Sequence, residues 1–238
     1  MLKAMIEKIV ELAAPRTFEW DGTVYSDKEL KFVQDKKCRP KTIEVTGLDS
    51  ISKLVRNEVI HIGQRLFVRV KSYREVEVFT TLDSDEERFY LYSCCADTPR
   101  VTMGRYSPYE NAVVELRSLY IPNEDTKYLL QLLGSISSES KVTSTDNGVT
   151  QKVEAKTGIA LNSVVEIKPR VTLRPFRTFI EVEQPESEFL LRVNQSGEIG
   201  LFEADGGVWK LEATRNVAEY FENKLKDLVE AGTVVVIR

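Results

Sequence analysis

The apolar positions of this chain change period several times, and each change marks an element. Leu2, Met5, Ile6, Ile9, Val10 and Ala13 recur at helical spacing, so residues 1–15 predict an amphipathic helix stopped by Pro15. "TFEWDGTVYSD" alternates about Asp21-Gly22 and predicts a hairpin. "KELKFVQDKKCRPK" holds six Lys or Arg and little apolar content, and reads as a solvated connector. Ile43 and Val45 then suggest a short strand, and Leu48, Ile51, Leu54 and Val55 one face of a helix. Alternation returns with Leu66, Val68 and Val70, then Val76 and Val78, then Phe89, Leu91 and Ser93. It predicts three antiparallel strands with turns near Ser72 to Arg74 and Asp83 to Glu86.

"SPYENAVVELRSLY" carries a helix start: Ser107 as cap, Pro108 at the first helical position, Glu110 completing a capping box. After Pro122-Asn123, "EDTKYLLQLLG" predicts a second helix ending at Gly134. Residues 136–158 form a polar run with Asn147-Gly148 at its centre, the pattern of a long hairpin arm. The last third predicts strands at 177–183, 188–193, 198–204 and 208–212, a four-stranded meander. A helix over 215–230 follows, with Val217, Tyr220, Phe221, Leu225, Leu228 and Val229 on one face, and "TVVVIR" makes a terminal strand. The fold class is α+β: antiparallel sheets packed with four to five helices. Two lobes are suggested, 1–135 and 136–238, or one continuous domain.

Composition narrows the functions. With 238 residues, 42% hydrophobic and 29% charged, the chain can bury a proper core. A net charge of −4 disfavours a general nucleic-acid coat, although a local basic groove remains open. No apolar run reaches the roughly 18 residues of a membrane span, and the charged N-terminal helix does not read as a targeting segment. Cys38, Cys94 and Cys95 are odd in number and lack CxxC spacing, the usage of a reduced, intracellular protein.

Catalytic motifs are missing. His61 is the one histidine and reads as packed among apolar neighbours, which excludes multi-histidine metal sites. There is no P-loop, GxGxxG or GxSxG. Cys94 and Cys95 read as packed small groups, "DSDEE" at 83–87 as a solvated hairpin tip, and "ADGG" at 204–207 as turn chemistry. The chain therefore reads as non-enzymatic, with no metal and no cofactor.

One stretch asks for more. "KPRVTLRPFRTFIEVEQPESEF", 168–189, sets Lys168, Arg170, Arg174 and Arg177 before Glu181, Glu183, Glu186 and Glu188. Pro169 and Pro175 each lack a ladder donor, so 168–176 reads as an edge strand guarded by its charges. Alternatively it is an anionic-ligand site. Arg170, Arg174 and Arg177 would grip phosphate or carboxylate, and Phe176, Phe179 and Trp209 would offer stacking faces.

"GVTQKVEAKTGIA", "VTLRPFRTFIEVEQPESEFLLRV" and "LFEADGGVWKLEATRNVAEYF" resemble the C-terminal half of the YfdQ-like phage and prophage protein family, whose function is unknown. "YSDKEL" and "PKTIEVTGLDSISKLV" are similar to Gram-positive phage versions, while Cys94-Cys95 departs from the pattern. The resemblance implies a phage accessory protein in the host bacterial cytoplasm and transfers no activity. Two functions follow as expectations. One is a binding protein acting on a host or phage macromolecule, as an accessory factor or an inhibitor of host defence or DNA metabolism. The other is a homo-oligomer that sequesters a nucleotide signal. A metal-dependent nuclease is a weaker third, with no motif behind it.

Overall fold

The computed structural model describes residues 2–20, 23–28, 40–84, 86–137, 141–146, 151–157 and 160–238. The expected turns at Asp21-Gly22 and Asn147-Gly148, the connector over 29–39 and Cys38 lie outside them. The chain divides into two compact units, Met1–Arg39 and Pro40–Arg238; the second takes in both sides of position 135, where the sequence suggested a lobe boundary.

The first unit holds α1 (Leu2–Ala13) and the hairpin of β1 (Thr17–Trp20) with β2 (Thr23–Ser26). The pairing is antiparallel, Phe18 opposite Tyr25, with their rings stacked at 5.5 Å.

The second unit runs β3 (Ile43–Val45), α2 (Leu48–Ile62), β4 (Leu66–Ser72), β5 (Glu75–Thr80), β6 (Tyr90–Cys95), β7 (Tyr106–Ser107), α3 (Tyr109–Ser118), β8 (Tyr120–Ile121) and α4 (Glu124–Ser137). It continues with β9 (Lys141–Asp146), β10 (Gln151–Thr157), β11 (Ala160–Ile167), β12 (Arg170–Pro175), β13 (Ser187–Val193), β14 (Ile199–Glu203), α5 (Trp209–Lys224), α6 (Lys226–Glu230) and β15 (Val234–Ile237). The fold is α+β, with six helices among the described residues, one more than the upper expectation.

Two sheet-and-helix layers carry the cores. The first is a mixed five-stranded sheet, β15-β4-β5-β6-β3, in which β15 and β3 pair in parallel and the rest antiparallel. Leu48, Ile51 and Val55 of α2 and Val217 and Phe221 of α5 pack on its inner face with Val68, Val76 and Val78. The second is β7-β14-β13-β12-β8, a three-stranded antiparallel meander with a two-residue strand at each side. Leu116 of α3 and Leu129, Leu132 and Leu133 of α4 pack there against Leu173, Phe189 and Leu191. β9, β10 and β11 form a separate three-stranded antiparallel sheet.

Several expected elements differ. Residues 177–183 form no strand; they belong to a crossover, 176–186, whose residues bond out of register with any ladder. Gln184 Oε1 accepts the Arg177 and Thr178 N–H groups, and its amide donates to the Phe179 carbonyl at 2.9 Å. Residues 209–212 are helical, not extended, with Val208 at the N-cap, because Trp209, Ala213, Val217 and Phe221 are the buried set, at helical spacing. The expected 215–230 helix therefore starts at Trp209 and breaks at Leu225 into α5 and α6. Helix α4 runs past Gly134 to Ser137, carried by the burial of Ile136. Ser107 caps nothing: it pairs with Ile199 in β7, and α3 starts without a side-chain cap. Between β5 and β6 the register shifts, Val78 pairing with Tyr92 and Phe79 with Tyr90, so Leu91 is an extra residue in β6. Tyr92 and Cys94 join Leu91 in the first core, and of the expected Phe89, Leu91 and Ser93 series Ser93 is the one outside it.

The crossover also finishes α2. Its N-cap, Gly47, offers no side chain, and the Leu48 N–H instead donates to Glu181 Oε1 at 2.8 Å. A carboxylate at a helix N-terminus also suits the helix dipole. A Cβ on Gly47 would sit 2.8 Å from that same oxygen and push it away. Gly47→Ala and Glu181→Ala should each cost about 1 kcal/mol, the usual worth of a cap. Urea denaturation should find the double variant no less stable than the worse single, since both remove one contact.

Candidate functional site

The opposite signs of 168–189 meet across the chain reversal. Arg170 pairs with Glu188 on the neighbouring strand, and Arg174 with Glu183 at 3.2 Å and Glu186 at 2.9 Å. Lys168 reaches Asp125 at the start of α4 at 3.2 Å. Asp125 also accepts the Thr172 N–H at 2.7 Å, and Asn123, which caps α4, donates to the Thr172 carbonyl. Arg170 and Arg174 thus hold β12 in place as exposed ion pairs, each of small energetic weight.

The six candidate ligand residues separate accordingly. Arg170 and Arg174 stay on the surface with their carboxylates. Phe179 is 2% exposed inside the first core and presents no face to a ligand. Phe176 is half-buried, its N–H bonded to the Leu119 carbonyl. Arg177 and Trp209 come together. Arg177 is 8% exposed, and its guanidinium lies 3.7 Å from the centre of the Trp209 ring. It donates to Glu203 Oε1 at 2.6 Å and to Ser187 Oγ, while Trp209 Nε1 donates to the same Glu203 oxygen at 3.1 Å. The Trp209 ring, expected as a stacking platform, is already covered by this guanidinium and abutted by Tyr73 at 4.8 Å. Burial pushes the Arg177 guanidinium below its usual range, while Glu203 and Asp205 favour its charge; a guanidinium stays cationic under such a shift.

Arg177, Glu203 and Trp209 form one wall of a cleft of about 450 Å³. Tyr73 and Arg74 come from the β4–β5 turn; Thr98, Pro99, Arg100, Val101 and Met103 from the β6–β7 connection; Lys210 from the first turn of α5. The cleft lies at the seam of the two layers, pinned there by Thr178 Oγ1 donating to the Tyr73 carbonyl. Four cations line it against one carboxylate. Arg100 and Lys210 are exposed, and neither has an ion-pair partner among the described residues. Arg74 spends one nitrogen on the Ala96 carbonyl at 3.3 Å, and its buried Nε has no partner among the described residues. The arrangement can attract and orient an anion of small-molecule size, with Pro99, Val101 and Met103 as an apolar side.

Arg74, Arg100 and Lys210 were not singled out from the sequence. They are far apart in the chain, and no local spacing links them. The one nearby signal was "ADGG": the Gly207 N–H donates to Asp205 Oδ1 at 2.9 Å, and Gly206 and Gly207 both take positive φ, turning the chain into α5.

The other candidate groups stand apart from this cleft. Cys94 is buried, and its thiol is pushed up to about 12 by burial and by Glu181, an environment opposite to that of a reactive thiolate. Cys95 is exposed. His61 is exposed in the last turn of α2, where its neighbours Ile60 and Ile62 had suggested packing. Among the described residues no three His, Cys, Asp or Glu side chains cluster to hold a metal ion, and no helix is long and apolar enough to cross a membrane. No protein-family model, curated protein or solved structure matches the chain.

Proposed function

We propose that this chain is a non-enzymatic binding protein and that its ligand is a phosphate-bearing small molecule of the nucleotide class. The observation that carries this is the cleft at the seam, where Arg74, Arg100, Arg177 and Lys210 face one carboxylate, Glu203. Its volume of about 450 Å³ suits a mononucleotide or dinucleotide rather than a bare ion. Arg100 and Lys210 meet the phosphate, and Tyr73, Pro99 and Met103 border the less polar part. Arg177 acts from behind: held by Glu203, Ser187 and Trp209, it fixes the shape of the wall. The resemblance to YfdQ-like phage proteins supplies the setting, a bacterial cytoplasm in which an accessory protein sequesters a nucleotide. Between the two functions expected from the sequence, the small-molecule scale of the cleft favours this one over capture of a macromolecule.

Calorimetric titration with mononucleotides, dinucleotides and short oligonucleotides tests it. Arg100→Ala should lose about ten- to hundredfold in affinity, the worth of a hydrogen bond to a charged group. Lys210→Ala should lose a similar amount, and binding should weaken as salt is raised. Arg174→Ala is the control and should bind as wild type, because its partners are Glu183 and Glu186. Equal binding by the Arg100→Ala/Lys210→Ala protein, or none by wild type, rejects the cleft. Binding confined to oligonucleotides transfers the reading to a macromolecular partner.

A further inference from the structure

Strand β15 is outermost in the mixed sheet, and its far edge carries no strand among the described residues. The parallel ladder to β4 fixes which backbone groups face that edge. Leu66 donates its N–H to the Thr233 carbonyl at 2.9 Å, so Thr233, and by alternation Val235 and Ile237, turn their backbone groups toward β4. Val234 and Val236 turn theirs outward. The strand reads Val-Val-Val-Ile, without the proline or inward charge that usually guards an open edge. Beside it runs a groove of about 390 Å³, walled by Val229, Val234 and Val236 and rimmed by two carboxylates, Glu222 and Glu230, against one ammonium, Lys226.

We propose that this edge receives a second copy of the chain, β15 against β15, antiparallel across a two-fold axis through Val235. Antiparallel pairing must set outward-facing residues opposite each other. Val234 of one copy then meets Val236 of the other, with Val235 facing itself. Val234 and Val236 are also the residues on the core side, so each copy extends the apolar wall that the other presents. The register places Arg238 of the second copy opposite Gly232, beside the carboxylates of Glu230 and Glu222. Glu222 has no ion-pair partner among the described residues, and Glu230 has Lys226 at 3.8 Å, both groups exposed. One strand thus supplies the cation and the acidic rim receives it, twice by symmetry. That match in both ladder and charge singles out a second copy over an arbitrary extended peptide. The pairing joins the two mixed sheets edge to edge and is independent of whether the cleft binds a nucleotide.

Sedimentation equilibrium of the full chain tests it, and wild type should be a dimer. Val236→Pro removes an outward N–H while sparing the ladder to β4, and should give a monomer with unchanged circular dichroism. Val235→Lys sets two ammonium groups face to face at the axis and should also give a monomer; it carries the test if the proline variant does not fold. Glu230→Arg should weaken the dimer, and adding Arg238→Glu should restore it. A wild-type monomer throughout the concentration range overturns the proposal. So does a dimer that survives Val235→Lys, or a Glu230→Arg defect that the second exchange leaves unrepaired.

Discussion

Phe221→Asp should leave no cooperatively folded protein at 25 °C, and the expressed chain should collect in the insoluble fraction. Phe221 is fully buried, between α5 and the inner face of the mixed sheet. Removing a buried phenyl ring costs about 3–5 kcal/mol from the vacated space and lost contacts alone. The new carboxylate would have to be desolvated or neutralised among Val68, Val76 and Val217, which costs several kcal/mol more. The sum is comparable to the whole stability of an ordinary domain, about 5–15 kcal/mol. Tyr220→Asp should be milder, because the Tyr220 ring is half-exposed and meets Phe221 only edge-on at 5.5 Å. Thermal melting by far-ultraviolet circular dichroism separates the two. A soluble Phe221→Asp protein with the wild-type midpoint would mean that α5 does not dock on the sheet.

Arg177→Ala is the second large effect. The side chain fills the space between Trp209 and Phe189, 3.7 and 5.7 Å from the two ring centres. Truncation opens that space and strips partners from Ser187 and Glu203. Removing one member of a buried ion pair costs about 3–5 kcal/mol when the other is left without compensation. Glu203 keeps 35% of its side chain exposed, and Trp209 Nε1 still donates to it, so the loss should sit at the lower end, about 3 kcal/mol. Arg177→Ala/Glu203→Gln should recover part of it by removing the stranded charge. Urea melts of the three proteins decide the matter. A single variant as stable as wild type would show that Arg177 is not the strut described.

The sequence was informative wherever one period persisted. Leu48, Ile51 and Val55, or Val68 and Val70 against Val76 and Val78, name their elements and their buried faces at once. It misled where two periods coincide. "WKLE" satisfies strand alternation through Trp209 and Leu211, yet Leu211 is 70% exposed and the burial runs from Trp209 to Ala213 and Val217. The slip in β6 is a one-residue event at Leu91 that leaves no compositional mark. In the charge pattern of 168–189 both signs were visible, but not the reversal at 176–186 that sets Arg174 against Glu183 and Glu186. Of the candidate ligand residues, Arg177 and Trp209 reach the cleft wall. Arg100 and Lys210, which have no ion-pair partner among the described residues, are brought there only by packing of the two layers.

The ladder between β15 and β4 also sets an order in time. Arg65 Nε donates to the Gly232 carbonyl at the mouth of that ladder, across 167 residues of chain. On a ribosome adding about 5–20 residues per second, on the order of 10 to 30 s separate these two groups. The meander core, whose last buried member is Leu201, can close before β15 exists; the mixed-sheet core, which needs Phe221, Leu225 and Val234, cannot. During that interval Leu66, Val68 and Val70 have neither their helix α5 nor their parallel neighbour. Strand β4 is therefore open to chaperones and proteases during synthesis, although in the finished molecule Leu66, Val68 and Val70 are buried in the first core.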